Sequence, residues 1–74
     1  MQNKIDFTEK QGQYLAFISS YIKINRQSPA ETDFQRYFKV TPPTVHQMIV
    51  KLEKLEYISK TPRVARSIKL LISV

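Results

Sequence analysis

Residues 40–58 read VTPPTVHQMIVKLEKLEYI, and this stretch decides how the rest of the chain is interpreted. A helix advances by about 100° per residue, so the apolar residues of the stretch fall on one side of a helix. These residues are Val45, Met48, Ile49, Leu52 and Leu55. We expect the Thr41 hydroxyl to cap the helix, and Pro42 suits the first helical position because no N–H is needed there. The stretch therefore predicts a helix over residues 41–56 with one buried side.

The opposite side of this helix carries the first indication of function. It presents short polar side chains near its start, two lysines further along and no carboxylate, whereas a solvated helix surface usually mixes both signs of charge. Its members are Pro43, Thr44, His46, Gln47, Val50, Lys51 and Lys54. Such a surface favours the approach of something negatively charged.

The charge of the chain is unevenly distributed. Residues 1–33 contain four basic and four acidic side chains, whereas residues 34–74 contain eight basic and two acidic ones, which accounts for the net charge of +6. A basic half joined to a neutral half is typical of nucleic-acid-binding proteins. Charge that serves only solubility is the plainer alternative.

Length and composition argue against several classes of protein. We expect the 74 residues to form one domain, with 1–7 as a loose lead-in. Because cysteine is absent and His46 is the single histidine, we expect no disulfide framework, metal site or cofactor. The sequence shows no acid pair, nucleophile–base arrangement or glycine-rich phosphate loop, so we expect no catalytic residues and no enzyme. Without a membrane-spanning run or a signal peptide, the chain is expected to be cytoplasmic and away from membranes.

Two more helices are predicted before residue 40. Thr8 and Gln11 match a capping box, and the apolar spacing continues to about Asn25. The run Ser28-Pro29-Ala30-Glu31 is a second helix start, and only three or four residues separate that helix from the third. By their helical spacing we expect the aromatic residues to lie in the core rather than to stack on a ligand: Tyr14, Tyr21, Phe34, Tyr37 and Phe38.

The pattern changes after Leu55 from a helical to an alternating one. It predicts strands at residues 57–60 and 67–72, joined by a loop over residues 61–66. Three helices followed by a terminal hairpin make an α+β, mainly α, winged helix-turn-helix.

In the order and spacing of these features, the sequence resembles the N-terminal DNA-binding domain of the LexA repressors, from Phe7 to Ile72. The matching residues in the first two helices are Thr8, Gln11, Leu15, Ile18, Tyr21, Ile22, Pro29 and Asp33. The matching runs further on are Pro43-Thr44-Val45-His46, Leu52-Glu53-Lys54-Leu55, Tyr57-Ile58, Arg63 and Ala65-Arg66-Ser67-Ile68. Residues 40–58 alone are also similar to the winged helices of metal-dependent repressors.

The sequence departs from the LexA pattern in two respects. Lys39 and Glu56 stand where the family usually has glycine. LexA repressors also carry a second domain with a serine–lysine autoprotease and the dimer interface. This sequence ends before any such domain, so self-cleavage is not expected of it.

The resulting hypothesis is sequence-specific binding of double-stranded DNA by a small transcriptional regulator or repressor. The helix at 41–56 would lie in the major groove, and the wing at 59–67 would touch the backbone or minor groove. The residues expected to contact bases are Thr44, His46, Gln47 and Val50. Those expected to contact the backbone are Arg36, Lys39, Thr41, Lys51, Lys54, Lys60, Arg63 and Arg66.

The hypothesis also bears on which other partners the chain is expected to have. A homodimer is expected to be needed for useful specificity, because a single module buries only about 600–1,000 Å² on DNA. No small-molecule effector is evident in the sequence. The alternative function is a winged helix that binds an acidic protein partner through the same basic surface.

Overall fold

A computed structural model describes residues 7–73, so the predicted lead-in lies outside the described residues except for Phe7. The elements are α1 (Glu9–Asn25), α2 (Glu31–Phe38), α3 (Pro42–Lys54), β1 (Ile58–Ser59) and β2 (Lys69–Leu70). The two strands are antiparallel, with Ile58 opposite Leu70 and Ser59 opposite Lys69. Three helices followed by a hairpin confirm the predicted winged helix-turn-helix. Within these residues, no helix is both long and apolar enough to cross a membrane.

The start of α1 is the predicted capping box. The Gln11 N–H donates to the Thr8 hydroxyl at 3.1 Å, and the Thr8 N–H donates to the Gln11 side chain at 3.0 Å. Both bonds satisfy N–H groups that the first turn of a helix leaves without partners. At the other end, the residue after the helix, Arg26, takes the left-handed conformation, with φ 60°. The Asn25 side chain instead donates to the Tyr21 carbonyl.

The start of α2 differs from the prediction. Ala30, not Ser28, is the N-cap residue, and its N–H donates to the Asp33 carboxylate at 2.8 Å. The Ser28 hydroxyl is drawn away because it accepts a bond from the Ile68 N–H at 3.1 Å. Ser28, whose place in the sequence is typical of a helix cap, therefore links the α1–α2 connection to Ile68, just before the last strand.

The third helix is shorter than the predicted 41–56. Thr41 occupies the N-cap position, but its hydroxyl pairs with the Thr44 hydroxyl at 2.9 Å instead of capping a backbone N–H. The helix ends at Lys54, and Leu55, predicted to be buried, is 39% exposed. The end is fixed by Glu56, whose left-handed conformation (φ 63°) lets the Tyr57 N–H donate to the Leu52 carbonyl.

Both residues that replace the expected glycines are left-handed, with φ 57° at Lys39 and 63° at Glu56. Because a side chain is strained there, we expect Lys39→Gly and Glu56→Gly each to stabilise the fold by about 0.5–1 kcal/mol. The double variant should melt several degrees higher, since about 1 kcal/mol moves Tm by 4–8 °C in a domain of this size.

Thermal unfolding followed by circular dichroism measures this gain. Lys51→Gly, placed inside α3, serves as the control and should lower Tm. An unchanged or lower Tm in both cap variants would contradict the strain argument.

The core lies between the three helices and the hairpin. Its fully buried members are Tyr14, Leu15, Ile18, Phe34, Val45, Ile49, Leu52, Ile58 and Ile68. Tyr14 stacks on Phe34 and Phe38, with ring centroids 5.4 and 4.4 Å apart. Tyr37 was predicted to be buried but is 66% exposed. It lies at the edge of the core, where one side of its ring stacks on Phe17.

The strands are shorter than predicted, so the loop between them spans residues 60–68. The Ser67 hydroxyl holds this loop together, since it accepts from the Thr61 N–H at 3.0 Å and donates to the Val64 carbonyl at 2.8 Å. Because its hydroxyl makes these bonds within the loop, Ser67 takes no part in the pairing of β1 with β2. Ile68, just before β2, is buried, whereas Leu71, just after it, is 54% exposed. Val74 lies outside the described residues.

Candidate nucleic-acid interface

The exposed surface of α3 carries the four side chains predicted to contact bases. Thr44, His46, Gln47 and Val50 are all exposed, Val50 to 37%. The helix can present them because its opposite side is anchored in the core by Val45, Ile49 and Leu52. Among residues 7–73, the Gln47 amide makes no hydrogen bond, so its donor and acceptor are both available to a partner.

Four cations on α3, in the turn before it or on the wing have no ion pair in the described part of the chain: Lys39, Lys51, Lys54 and Arg63. Lys39 lies in the α2–α3 turn, and Lys51 and Lys54 lie in the last turn of α3. A fifth cation, Arg36, is 3.7 Å from Asp33, but its side chain is 76% exposed. Such a surface ion pair is weak and is readily exchanged for another anion.

Arg63 lies at the tip of the wing, in a tight turn. The Val64 N–H donates to the Thr61 carbonyl at 3.2 Å, Pro62 holds the second position, and Arg63 has φ 65° at the third. This is the pattern of a type II turn, whose third position favours glycine or asparagine. The turn projects the Arg63 guanidinium into solvent.

Arg66 was predicted to contact the DNA backbone, but its guanidinium is turned toward the body of the protein. It donates to the Asp33 carboxylate at 3.0 Å and to the Tyr21 hydroxyl at 2.9 Å, with a longer contact to the Ser28 carbonyl at 3.4 Å. A carboxylate attracts a guanidinium more strongly than water does when both are partly desolvated. Arg66 therefore fastens the wing to the helices through its Nη1 atom.

The ion pair with Arg66 affects the pKa of Asp33, whose side chain is 10% exposed. Burial raises the pKa of the Asp33 carboxyl, but the Ala30 N–H bond, the Arg66 charge and further side-chain hydrogen bonds together lower it more. The net pKa of Asp33 is below its ordinary value of 3.8. The carboxylate form is thus stabilised by the folded structure.

Lys60, also predicted to contact the backbone, is paired as well. Its ammonium donates to the Glu31 carboxylate at 3.1 Å, and the His46 Nδ1 atom lies 3.5 Å from the same oxygen. The sequence offered no anion near the wing or on this side of α3, so this pairing corrects that expectation. Glu31 of α2 thereby contacts both Lys60, which follows β1, and His46 of α3.

Residues 63–68 line an open pocket of about 270 Å³ together with Pro29, Ala30 and Glu31 at the start of α2 and with Lys60. The wing loop is therefore held beside the start of α2, although residues 61–66 are exposed. Glu31, Asp33, Tyr21 and Ser28 set its position, and sequence reasoning assigned none of them this role. No local signal could have found them, because Glu31 is 29 residues from Lys60 and Asp33 is 33 residues from Arg66.

Similar proteins are known over nearly the whole chain. A LexA repressor of Thermosipho melanesiensis is 44% identical over 63 residues, which cover 85% of this chain and 32% of that protein. A LexA repressor of Thermosipho africanus is 42% identical over 88% of this chain and 33% of its own length. One of Petrotoga mobilis is 34% identical over 89% of the chain and 32% of its own length. No protein-family model matches the chain.

These similarities confirm the resemblance that the motifs predicted. The chain spans about a third of the length of the curated relatives it matches.

Proposed function

We propose that this chain, which is related to the LexA repressors over the segment that the two share, binds double-stranded DNA and represses transcription. The observation that carries the proposal is one exposed helix surface of uncharged polar side chains bordered by cations without ion pairs. The first group can read base edges, and the second can neutralise phosphates. The three similar proteins described above, all LexA repressors, support the same function.

In this proposal α3 lies in the major groove. Gln47 is suited to a bidentate contact with adenine, and the Val50 methyl groups can meet a thymine methyl. Thr44 and His46 provide further donors and acceptors near the start of the helix. Lys51 and Lys54, further along, meet phosphates.

The wing follows the adjacent backbone or minor groove in this proposal, and Arg63 makes its contact with the negative charge there. A narrow minor groove has an enhanced negative potential that attracts arginine. Arg66 and Lys60 act differently from Arg63, since their intramolecular ion pairs fix where the wing sits. They orient the contact rather than make it.

The experiment that tests the proposal is selection from a randomised pool of DNA duplexes at low and physiological salt. We expect one enriched motif that survives the higher salt. With five phosphates contacted by Arg36, Lys39, Lys51, Lys54 and Arg63, the log–log salt slope should be about −4.5. Binding without enrichment would contradict sequence-specific reading. No binding at either salt would favour the alternative of an acidic protein partner.

Replacing Gln47 with alanine should relax discrimination at one base pair, because its unpaired amide is placed to read a base edge. We expect the preferred duplex to lose about 1–3 kcal/mol of binding free energy while mismatched duplexes change little. Competition binding against duplexes with single substitutions measures this difference. Gln27→Ala, an exposed glutamine between α1 and α2, is the matched control. An unaltered preference in the Gln47 variant would refute the assignment of α3.

Replacing Arg63 with alanine should weaken every duplex by a similar factor. The salt slope should become shallower by about 1, because one phosphate contact is lost. Arg63→Lys, which keeps the charge, should retain most of the slope. Arg63→Gly relieves the positive φ without restoring charge, so it should bind as weakly as the alanine variant. Recovery of binding in the glycine variant would show that backbone strain, not charge, governs this position.

A further inference from the structure

Glu31, at the start of α2, places a carboxylate beside α3. One of its oxygens, Oε2, lies 3.5 Å from the His46 Nδ1 atom and 3.1 Å from the Lys60 Nζ atom. The side chain of Glu31 is 29% exposed and that of His46 is 62% exposed. Because the proposed function assigns His46 a base contact, this carboxylate touches one of the side chains that would face DNA.

The position of the carboxylate affects which nitrogen of the His46 ring carries the proton. A neutral imidazole has one N–H and one lone pair on its two nitrogens, whereas a carboxylate oxygen only accepts hydrogen bonds. With Nδ1 3.5 Å from Oε2, a proton on Nδ1 is attracted by the anion, while a lone pair there is repelled by it. The ring form with its proton on Nδ1 is therefore favoured.

No other hydrogen bond or ion pair reaches the His46 ring among residues 7–73. The residues one turn away on α3 have apolar side chains: Pro42, Pro43, Ile49 and Val50. Lys60 donates to the Glu31 oxygen at 3.1 Å and so holds that oxygen in place. A surface ion pair adds little to the stability of a fold. The two ring forms differ only in the site of one proton, however, so a small free energy is enough to select between them.

We propose that Glu31 is a positioning residue that determines which bases His46 reads, an inference that rests on the proposed DNA binding. With its proton on Nδ1, the ring offers Nε2 to a partner as a hydrogen-bond acceptor. In the major groove the amino groups of adenine and cytosine are donors, whereas guanine N7 and O6 and thymine O4 are acceptors. Neutral His46 therefore selects adenine or cytosine at its position and rejects guanine and thymine there.

The first test needs no DNA. His46 is the single histidine of the chain, so nitrogen-15 NMR of imidazole groups reports on this ring alone. At about pH 8.5, above the range in which histidine usually titrates, we expect Nδ1 to carry the proton. Glu31→Ala should shift the ring toward the form protonated at Nε2, whereas Lys60→Ala, which keeps the carboxylate, should not. A proton mostly on Nε2 in the original chain would overturn the proposal.

Selection from randomised duplexes at the same pH then tests the base reading. The His46→Ala variant identifies the base pair at which discrimination depends on this ring. We expect Glu31→Ala to reduce discrimination at that same base pair by about two- to tenfold, the usual contribution of one hydrogen bond. The double variant should lose no more than His46→Ala alone, because both substitutions remove one interaction. Lys60→Ala should weaken all duplexes by a similar factor and keep the preference.

The outcomes separate this proposal from the proposed function. Guanine or thymine enriched at the His46 position, or an equal loss of preference in Lys60→Ala, would overturn the role of Glu31 while leaving DNA binding intact. Failure to enrich any motif would overturn the proposed function, and the base reading with it, although NMR still decides the proton position. Circular dichroism of each variant checks that it is folded.

Discussion

Replacing Phe34 with alanine is expected to cost about 3–5 kcal/mol of unfolding free energy, the range for removing a buried aromatic ring. Phe34 is 0% exposed, and its ring lies 5.4 Å from Tyr14 and 5.0 Å from Phe17, centroid to centroid. It therefore joins α2 to α1. A chain of 74 residues has a total stability of about 4–11 kcal/mol. The substitution removes much of this margin, and DNA binding should fall with the folded fraction.

Urea unfolding followed by circular dichroism measures the loss. Tyr37→Ala is the matched control, because it removes an aromatic ring from the same helix where the side chain is 66% exposed. Its cost should stay below about 1.5 kcal/mol, as expected for a residue that is mostly in water. If the two variants lost equal stability, the core assigned to the α1–α2 contact would be wrong.

Replacing Asp33 with asparagine is expected to cost about 1–3 kcal/mol, because it removes the charge that both the Ala30 N–H and Arg66 meet. A loss near 3 kcal/mol would require both partners of the ion pair to be fully buried. The Arg66 side chain is 37% exposed, so water can solvate its charge after the substitution and reduce the loss. The wing would remain attached through the Ser28 bond to Ile68, the Lys60 pair with Glu31 and the Arg66 bond to the Tyr21 hydroxyl. DNA binding should weaken as Arg63 loses its fixed position.

The same substitution should change how stability depends on pH. The pKa of Asp33 is lower in the folded chain than its ordinary value, since the Ala30 bond and the Arg66 charge outweigh the effect of burial. Its contribution is therefore fully present above the unfolded pKa, about 3.9. It is lost as pH falls through the lower folded pKa, where the unfolded chain binds more protons.

Thermal unfolding from pH 7 to pH 2 measures this dependence. The original chain should lose more stability than Asp33→Asn as the pH falls below about 4. The other carboxyl groups are common to both chains, so the difference between the two curves isolates Asp33. Parallel curves would mean that Asp33 is not stabilised as a carboxylate by the fold.

Local sequence signals predicted the elements of this fold well. The capping box at Thr8 and Gln11, the proline after Thr41 and the apolar spacing of α3 each act within one or two turns of helix. Their outcome depends little on distant residues. The same reasoning placed Gln47 and its neighbours on the exposed side of α3, because helical periodicity fixes which side a residue faces.

Local signals failed where a distant group competed for the same atom. Ser28 resembled a helix cap, but the Ile68 N–H, 40 residues away, takes its hydroxyl. Lys60 and Arg66 resembled free cations, since no anion stands near them in the sequence. Glu31 and Asp33 reach them only after the chain has folded.

The sequence by itself therefore determined the helices, the hairpin and the identity of the exposed surface, because those depend on periodicity and capping. Only the tertiary structure decided which cations remain available to a partner. A charge can be paired by any residue that folding brings within about 4 Å, and separation along the chain does not limit that distance. Arg63 and Lys51 are left without ion pairs among residues 7–73, whereas Arg66 and Lys60 hold the wing in place.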